Sequence, residues 1–351
     1  MQILVVAPNW IGDAIMAQPL LRRLRERHGD ARICVLAQPH VAPAVQRMAE
    51  VDEVIVESLG HGRLQLRQRW QLARRLTKRA PPFAIAYVLP NSFKSALVPW
   101  LARIAERVGY LGESRRSLLT RWLPNPARRG HRPPIAAAYA ALAGPLPAGF
   151  DSVGADRPRL NIAAAAAAIA KARSVGAAAL TIGFCPGAEY GPAKRWPSEH
   201  FAALADLIVA RYPQARIACL GGPGDREIAQ AIDAATPVPI LNLCGQTPLG
   251  DAIALIAGLN VVVSNDSGLM HVAAALDVPL VALFGSTDPR HTPPHSPVAA
   301  IARIDIACSP CFERVCPLGH LRCLRELSPE RVMELLESRL SLRDAAPSGA
   351  V

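Results

Sequence analysis

Aromatic residues and long apolar runs are scarce in this sequence of 351 residues. Phe, Trp and Tyr make up only 5% of it although 51% is hydrophobic, so the core is predicted to consist mainly of Ala, Val, Leu and Ile. The apolar run at residues 162–170 is far shorter than the roughly 18 residues that a membrane-spanning helix needs. The first apolar strand has neither a basic segment before it nor a small-residue cleavage site after it, which argues against a signal peptide. We therefore expect a soluble, cytoplasmic protein.

Acidic residues are missing from a long stretch of the first half. Between Ser58 and Ala105 there are none, whereas residues 1–160 as a whole hold 24 Lys and Arg against 11 Asp and Glu. Residues 161–351 hold 15 against 17, so the first half carries the entire excess of the net charge of +11. The positive electrostatic field of such a region favours binding of nucleic acid, acidic lipid or an anionic substrate. The lack of a recognisable nucleic-acid-binding module argues against the first of these. An arginine-rich composition without a functional cause remains an alternative. The nine basic residues of the stretch are Arg63, Arg67, Arg69, Arg74, Arg75, Lys78, Arg79, Lys94 and Arg103.

The eight cysteines fall into two groups. Four of them lie in apolar, strand-like surroundings and are predicted to be buried free thiols, namely Cys34, Cys185, Cys219 and Cys244. The other four follow the pattern C-x2-C-x4-C-x6-C beside His320, namely Cys308, Cys311, Cys316 and Cys323. That spacing could hold zinc, but it departs from the paired C-x2-C arrangement of common zinc ribbons. Packed, reduced thiols are the favoured interpretation, and zinc stays open.

Strand-like and helix-like segments alternate along both halves. Strands are predicted at residues 3–6, 33–37, 53–56 and 84–89, and again at 180–185, 215–220, 240–243, 261–264 and 280–284. A basic helix is predicted at residues 63–79, and the Pro- and Gly-rich residues 145–158 are the predicted linker. This alternation predicts an α/β fold with a parallel sheet in each half. We expect a first domain at residues 1–160, a second at 175–325 and a terminal helix at 328–343.

Residues 261–285 carry the most informative pattern. A buried strand ends in the polar string SNDSG at residues 264–268, and a helix is predicted at residues 269–276. Free backbone N–H groups and the positive end of the helix dipole make such a helix start favourable for an anion. Ligands also bind at the carboxyl ends of strands in open α/β sheets. His271 lies one turn beyond Ser267 on the same helix face. The alternative is that Asn265, Asp266 and Ser267 only cap the helix.

A second loop, at residues 186–197, follows a predicted strand. It is rich in Gly and Pro and carries Lys194, Arg195 and Trp196, after which Ser198 is predicted to cap a helix at residues 199–211. A lysine before a helix start suits a phosphate group, as a point charge on a flexible stem. A solvated Lys-Arg pair is the alternative. Two phosphate-type features within one α/β half favour a nucleotide-diphosphate site.

The chain opens with a strand at residues 2–6, a glycine-containing turn at 7–13 and a helix predicted at 14–27. Asp13 therefore falls at the carboxyl end of the first strand. A carboxylate there either caps the helix or faces a cleft. The presence of the two other loops favours a catalytic base.

These residues together resemble glycosyltransferase family nine, the ADP-heptose:lipopolysaccharide heptosyltransferases of Gram-negative bacteria. The resemblance rests on Gly12-Asp13, on the string KRWP at residues 194–197, and on NDSG at residues 265–268 with His271. The stretches at residues 89–97, 109–113 and 308–324 are similar to the members that add the second heptose. The resemblance covers nearly the whole chain, from Met1 to about Leu340.

The resemblance implies a GT-B fold, in which two Rossmann-like domains face each other across a cleft and the terminal helix returns to the first domain. It implies inverting transfer of L-glycero-D-manno-heptose from ADP-heptose to the first heptose of heptosyl-Kdo2-lipid A, with an α1→3 linkage. Asp13 is the implied base. The implied donor-binding residues are Lys194, Asp266, Ser267, Gly268, His271, Thr247 and Glu227, with Asp225 as an alternative to Glu227 at the ribose. The implied acceptor-binding residues are Asn91, Lys94, Arg74 and Arg75.

The sequence contains no Asp-x-Asp motif, so no divalent-metal cofactor is expected. The expected partners are ADP-heptose, the lipopolysaccharide acceptor and, peripherally, the cytoplasmic face of the inner membrane, with no nucleic acid. Three other functions stay open: transfer of the first or third heptose, a GT-B sugar-nucleotide enzyme such as an epimerase, and a nucleotide-binding regulatory protein.

Overall fold

The computed structural model describes residues 1–59, 64–126, 132–146, 157–176 and 180–344, which fall into two compact units divided after Pro158. Each unit has its own β-sheet of six strands. Arg63 of the basic stretch and most of the predicted linker lie outside the described residues. Among the described helices, none is both long enough and apolar enough to span a bilayer.

The described part of the first unit contains six strands and six α-helices. Strands β1 to β6 span Gln2–Val6, Arg32–Ala37, Glu53–Val56, Phe83–Val88, Glu106–Tyr110 and Arg121–Leu123. Helices α1 to α6 span Ile11–Met16, Gln18–Arg27, Ala42–Val45, Leu66–Thr77, Phe93–Leu101 and Ile135–Ala140.

The first sheet has the strand order β3-β2-β1-β4-β5-β6, and all of its strand pairs are parallel. This is the order of the Rossmann fold. Strand β1 is buried along its whole length, as a central strand of a parallel sheet should be. Strands β5 and β6 were not predicted, because β5 begins with the charged residues Glu106 and Arg107 and β6 is only three residues long.

The helix predicted at residues 14–27 is two helices, α1 and α2, which meet at Ala17. Pro19 lies in the first turn of α2 and has no N–H group, so it cannot continue the hydrogen-bond ladder of α1. Helix α2 buries Leu20, Leu21 and Leu24. The break leaves α1 as a short helix that begins just after β1, with Asp13 in its first turn.

The described part of the second unit contains six strands and seven α-helices. Strands β7 to β12 span Thr181–Cys185, Arg216–Cys219, Ile240–Asn242, Val261–Asn265, Leu280–Leu283 and Ala299–Ala302. Helices α7 to α13 span Ala164–Ser174, Ser198–Arg211, Arg226–Ala234, Leu249–Gly258, Gly268–Ala275, Arg322–Arg325 and Pro329–Asp344.

The second sheet has the order β12-β11-β10-β7-β8-β9, again with parallel pairs throughout. Counted from β7, its connectivity is that of the first sheet. The prediction of an α/β fold with a parallel, Rossmann-like sheet in each half is therefore confirmed. Ser198 is the first residue of α8 and Pro197 is its N-cap, so the prediction that Ser198 caps this helix was wrong by one residue.

The terminal helix α13 packs against α8 and against strands β10 to β12. Its buried side chains, Val332, Met333 and Leu336, belong to the core of the second unit. The indole N–H of Trp196 donates to the carbonyl of Leu327, which precedes α13, over 2.9 Å. The contact of α13 with the first half that the resemblance implies stays a prediction.

Candidate functional site

The strand order of each sheet defines where a ligand is expected. In the second sheet β7 lies beside β10, and the chain continues from these two strands toward opposite edges of the sheet. Such a switch point leaves a crevice at the carboxyl ends of the two strands. The loop after β7 carries Lys194, and Asp266 follows directly after the last residue of β10. The two loops singled out in the sequence therefore meet at the switch point.

Lys194 and Asp266 form a buried ion pair. The Lys194 ammonium nitrogen, Nζ, lies 2.6 Å from Asp266 Oδ2, and the two side chains are 11% and 3% exposed. The same carboxylate oxygen accepts a hydrogen bond from the Thr287 hydroxyl over 2.6 Å. Nζ also lies 4.9 Å from the centre of the Tyr190 ring, within reach of a cation–π interaction. The pairing argues against the alternative of a solvated surface lysine, because buried charges in proteins are held in such pairs.

Asn265 ties the two loops together. It is fully buried; its amide nitrogen donates to the carbonyl of Pro186 over 2.6 Å, and its amide oxygen accepts from the backbone N–H of Trp196 over 3.1 Å. Both partners belong to the loop after β7. The distance between the loop that carries Lys194 and the start of α11 is therefore fixed by side-chain hydrogen bonds.

The start of α11 has no side-chain cap. Ser267 is the N-cap residue by backbone conformation, but its hydroxyl makes no capping hydrogen bond and lies 3.3 Å from the Ser264 hydroxyl. The side chains of Asn265 and Asp266 are committed to the partners given above. The capping alternative therefore does not explain this polar string. The N–H groups of the first turn, beginning at Gly268, remain suited to an anion.

Two histidines of this region are held neutral. Burial lowers the pKa of His271 to about 4; the negative charge of Asp266 opposes this shift, and the positive charge of Lys194 adds to it. Burial likewise lowers the pKa of His295 to about 4. The His295 Nε2 atom is buried and has no hydrogen-bond partner among the described residues. At neutral pH both rings therefore act as neutral hydrogen-bonding groups.

Acidification from pH 7 to pH 4.5 is expected to lower the free energy of unfolding partly through these two rings. Both are neutral in the folded protein, whereas in the unfolded chain they bind protons as the pH falls through about 6.5. Each can remove at most about 1.4 kcal/mol per pH unit in that window. Denaturant unfolding of a His271→Gln/His295→Gln variant should show a shallower decline with acid than the wild type. A His40→Gln variant, altered at an exposed histidine, should keep the wild-type slope; equal slopes in all three proteins would contradict the assignment.

The remaining residues implied for the donor lie on the β8 and β9 side of β7. Glu227 is exposed in the first turn of α9, and the half-buried Thr247 hydroxyl points to the carbonyl of Leu243 over 3.5 Å. Asp225 is more enclosed. Its carboxylate accepts from the Gly222 N–H over 2.9 Å and lies so close to Gly187 that a Cβ there would stand 2.3 Å from its oxygens. Burial raises its pKa.

In the first unit Asp13 occupies the third position of α1, not its N-cap, which is Trp10. The helix start again lies at a switch point, because β1 lies beside β4. Tyr139 on α6 was not predicted. Its pKa is raised well above the ordinary value by burial and, next, by the negative charge of Asp13, so a neutral phenol stands near this carboxylate. The sequence pattern did not indicate a functional role for Tyr139, because it lies in the alanine-rich string IAAAYA, which has no polar neighbours.

The loop after β4 is organised by Arg115, which is fully buried. Its guanidinium donates to the carbonyls of Pro90 and Tyr110 and, over 3.0 Å, to the Asn91 side-chain oxygen. Burial lowers the pKa of Arg115 to about 10. Lys94 lies in the first turn of α5, and its carbonyl accepts from the buried Arg69 over 2.9 Å. Asn91 and Lys94 are thus held at the same end of the sheet as Asp13.

Several basic residues of α4 and of the two positions after it already have a partner on the protein. Arg75 pairs with Glu57, and Arg79 pairs with Glu53. The exposed Arg74 guanidinium stacks over the Trp70 ring at 4.8 Å. Lys78 is exposed at the C-cap. Part of the positive field thus serves the packing of α4 on its own unit.

Comparison with known proteins gives a consistent result. The family model described as Glycosyltransferase family 9 (heptosyltransferase) matches residues 69–322. The chain is 39% identical to the lipopolysaccharide heptosyltransferase 2 of Escherichia coli K12, over 98% of this chain and 100% of that protein. The corresponding protein of Salmonella typhimurium LT2 is also 39% identical, over 97% and 99%.

Solved structures agree with this. The structure of E. coli ADP-heptose lps heptosyltransferase II matches with a TM-score of 0.85 and 36% identity, covering 98% of this chain and 100% of that one. A family 9 glycosyl transferase from Veillonella parvula matches with a TM-score of 0.81 over 97% of both chains. At 22% identity, that second likeness shows the fold alone.

Proposed function

Because this chain belongs to glycosyltransferase family 9, we propose that it transfers heptose from ADP-heptose to the lipopolysaccharide inner core. The observation that carries this function is the 39% identity, over nearly the full length of both chains, to lipopolysaccharide heptosyltransferase 2. The same similarity favours transfer of the second heptose over the first, because the lipopolysaccharide heptosyltransferase 1 of E. coli K12 matches in sequence over only 27% of this chain.

The donor diphosphate is proposed to bind at the switch point of the second sheet. The uncapped start of α11, at Ser267 and Gly268, offers N–H donors to a phosphate, and Lys194 supplies a positive charge. As the bond between the anomeric carbon and the β-phosphate oxygen breaks, negative charge grows on that oxygen. Donors that are already in place stabilise this charge without reorganisation. Asp266 and neutral His271 complete the site as hydrogen-bonding groups for the heptose and phosphate.

Asp13 is proposed as the general base. The acceptor hydroxyl oxygen attacks the anomeric carbon, ADP leaves from the opposite face, and the hydroxyl proton passes to the Asp13 carboxylate. A single displacement of this kind inverts the anomeric configuration and requires one base. Tyr139, whose pKa is raised by burial and by the negative charge of Asp13, is proposed to orient that carboxylate.

The acceptor is proposed to bind the first unit through its carboxylates and phosphates. Asn91 and Lys94 lie beyond β4, and the exposed cations Arg74 and Lys78 extend the positive surface along α4. Arg75, which the resemblance also implies, is already paired with Glu57 and contributes less. The same positive surface supports peripheral attraction to anionic lipid at the inner face of the membrane.

Replacing Arg74 and Lys78 with Gln is expected to raise the acceptor KM by about threefold or more at low salt, because each exposed cation contributes a fraction of a kcal/mol. The donor KM should stay unchanged. The difference should shrink at high salt, because exposed charges are screened beyond roughly 10 Å at 0.1 M. An Arg216→Gln/Arg339→Gln variant removes the same charge from the second unit and should leave the acceptor KM at the wild-type value. Equal acceptor KM values in all three proteins would show that this face of α4 is only solvated.

Addition of EDTA to the assay is expected to leave the transfer rate within about twofold of the untreated enzyme. The reason is that Lys194 and the helix start provide the positive charge that a metal supplies elsewhere. The measurement is ADP release with and without chelator. Loss of activity that Mg²⁺ or Mn²⁺ alone restores would refute a metal-independent displacement.

The decisive experiment is an assay of ADP release from ADP-heptose with three acceptors. Heptosyl-Kdo2-lipid A should support turnover, whereas Kdo2-lipid A and an acceptor that already carries two heptoses should not. Turnover with either of the latter would assign the chain to the first or third heptose instead. ADP-heptose consumption without any acceptor would indicate a hydrolase or epimerase, and binding without turnover a regulatory protein.

A further inference from the structure

Four cysteines of the second unit line one small cavity. Cys308, Cys311, Cys316 and Cys323 share it with His320, and its volume of about 20 Å³ admits a single particle the size of a water molecule. Three of these thiols are partly exposed, unlike the fully buried Cys185, Cys219 and Cys244 of the same unit. Packing in the core explains the buried thiols. It does not explain why three partly exposed thiols line the same cavity.

The turn after Cys316 is shaped to hold a thiolate. The backbone N–H groups of residues 318–321 face the Cys316 sulfur. Gly319 has a φ of +68°, a conformation that glycine adopts without strain, and its N–H bonds to the Cys316 carbonyl over 3.1 Å. Hydrogen bonds from N–H groups to sulfur favour the charged form.

The opposite wall of the cavity carries a polar group without a partner. Ser286 is 1% exposed, and its hydroxyl makes no hydrogen bond within the described residues. A buried hydroxyl left unsatisfied costs free energy, so the Ser286 hydroxyl points to a further group bound in the cavity.

The cavity lies directly behind the proposed donor site. Ser286 precedes Thr287, which bonds to Asp266, and Ala193, another lining residue, precedes Lys194. The cysteine segment is bonded to both loops. The Phe312 N–H donates to the Ser286 carbonyl over 2.7 Å, and the Ala193 N–H donates to the Arg314 carbonyl over 3.1 Å.

We propose that Cys308, Cys311, Cys316 and Cys323 bind one Zn²⁺ ion, which fastens residues 308–323 behind the loops that carry Lys194 and Thr287. Four thiolates suit a tetrahedral, thiophilic ion without redox demands. Across the described parts of the chain, no three His, Cys, Asp or Glu side chains already stand together as a ligand set, so binding requires the thiols to turn toward the cavity. This site is structural and does not depend on the proposed reaction, for which no metal is expected.

The test is metal analysis of the full-length protein, purified under reducing conditions without chelator. We expect about one zinc per chain by mass spectrometry of the metals. Cobalt added to the metal-stripped protein should give sulfur-to-metal charge-transfer absorption. Cys316→Ser and Cys308→Ser should each lose the metal, whereas Cys244→Ala, altered at a buried thiol outside the cluster, should keep one equivalent.

Metal analysis of the wild type decides the question even if a cysteine variant does not fold. Less than a tenth of an equivalent of zinc after exposure to Zn²⁺, with no cobalt absorption, would overturn the proposal. So would a disulfide among these cysteines in the native protein, seen as a mass decrease of about two daltons, or full zinc content in folded Cys316→Ser. Stoichiometric iron in place of zinc would overturn the choice of ion. None of these readouts uses turnover, so they separate failure of this site from failure of the proposed reaction.

Discussion

Replacing Asp13 with Asn is expected to slow heptose transfer by about 10²–10⁴-fold, the usual contribution of a general base. Asn keeps the size of the side chain and its place in the first turn of α1, but it cannot accept the hydroxyl proton at neutral pH. ADP-heptose binding should stay within about twofold of wild type, because the proposed diphosphate contacts lie on other loops. Single-turnover rates and the Kd of the donor, measured separately, give the two quantities.

The control for this variant is Asp30→Asn, which removes a carboxylate from an exposed position of the same unit. It should transfer heptose at the wild-type rate. The base assignment would fail if Asp13→Asn kept more than a tenth of the wild-type rate. A variant that lost rate and melting temperature together would instead indicate that Asp13 serves α1 as a first-turn acidic residue.

Replacing Lys194 with Ala should weaken donor binding and slow transfer together, lowering kcat/KM by about 10²–10³-fold. In the proposed complex the Lys194 ammonium contacts the phosphate, and this contact should strengthen as charge develops on the leaving group. The variant also leaves Asp266 buried without its ionic partner, which costs stability in its own right. Donor Kd, single-turnover rate and unfolding midpoint must therefore be measured on the same protein.

Two further variants separate these effects. Lys194→Ala/Asp266→Ala removes the stranded carboxylate and should regain stability without regaining rate. Arg195→Gln alters the neighbouring cation, whose guanidinium donates to the Ala188 carbonyl, and should bind donor normally. If the double variant recovered wild-type donor affinity and rate, Lys194 would be only the partner of Asp266.

Sequence alone predicted the parts of the site that depend on chain order. A buried strand followed by a polar turn and a helix places the turn at the carboxyl edge of a parallel sheet, so the sequence predicts Asp13, Lys194 and Asp266 at that edge, although Asp13 lies in the first turn of α1 and not in the turn before it. The neighbouring positions of β7 and β10 then bring two of these loops together. The family resemblance supplied the chemistry, and the comparisons confirmed the family.

What sequence did not predict are the contacts between segments that lie far apart in the chain. Lys194 pairs with Asp266 over 72 positions, and Asn265 reaches back 79 positions to Pro186. Neither the two-residue period of a strand nor the 3.6-residue period of a helix predicts such pairs. The buried Arg115 was missed for a related reason, because a lone arginine in a turn is usually solvated. The role of Arg115 depends on backbone carbonyls that only the folded chain places within hydrogen-bond distance of its guanidinium.

In the proposed donor site, the Asp266 carboxylate competes with the diphosphate for the Lys194 ammonium. When the donor binds, the lysine exchanges its carboxylate partner for a phosphate, so the loss of the ion pair offsets part of the affinity gained from the phosphate contact. The same exchange should favour the departure of ADP, because the lysine can pair with the carboxylate again. The ion pair is therefore expected to limit product inhibition, and removing the carboxylate alone should lengthen the residence time of ADP on the enzyme.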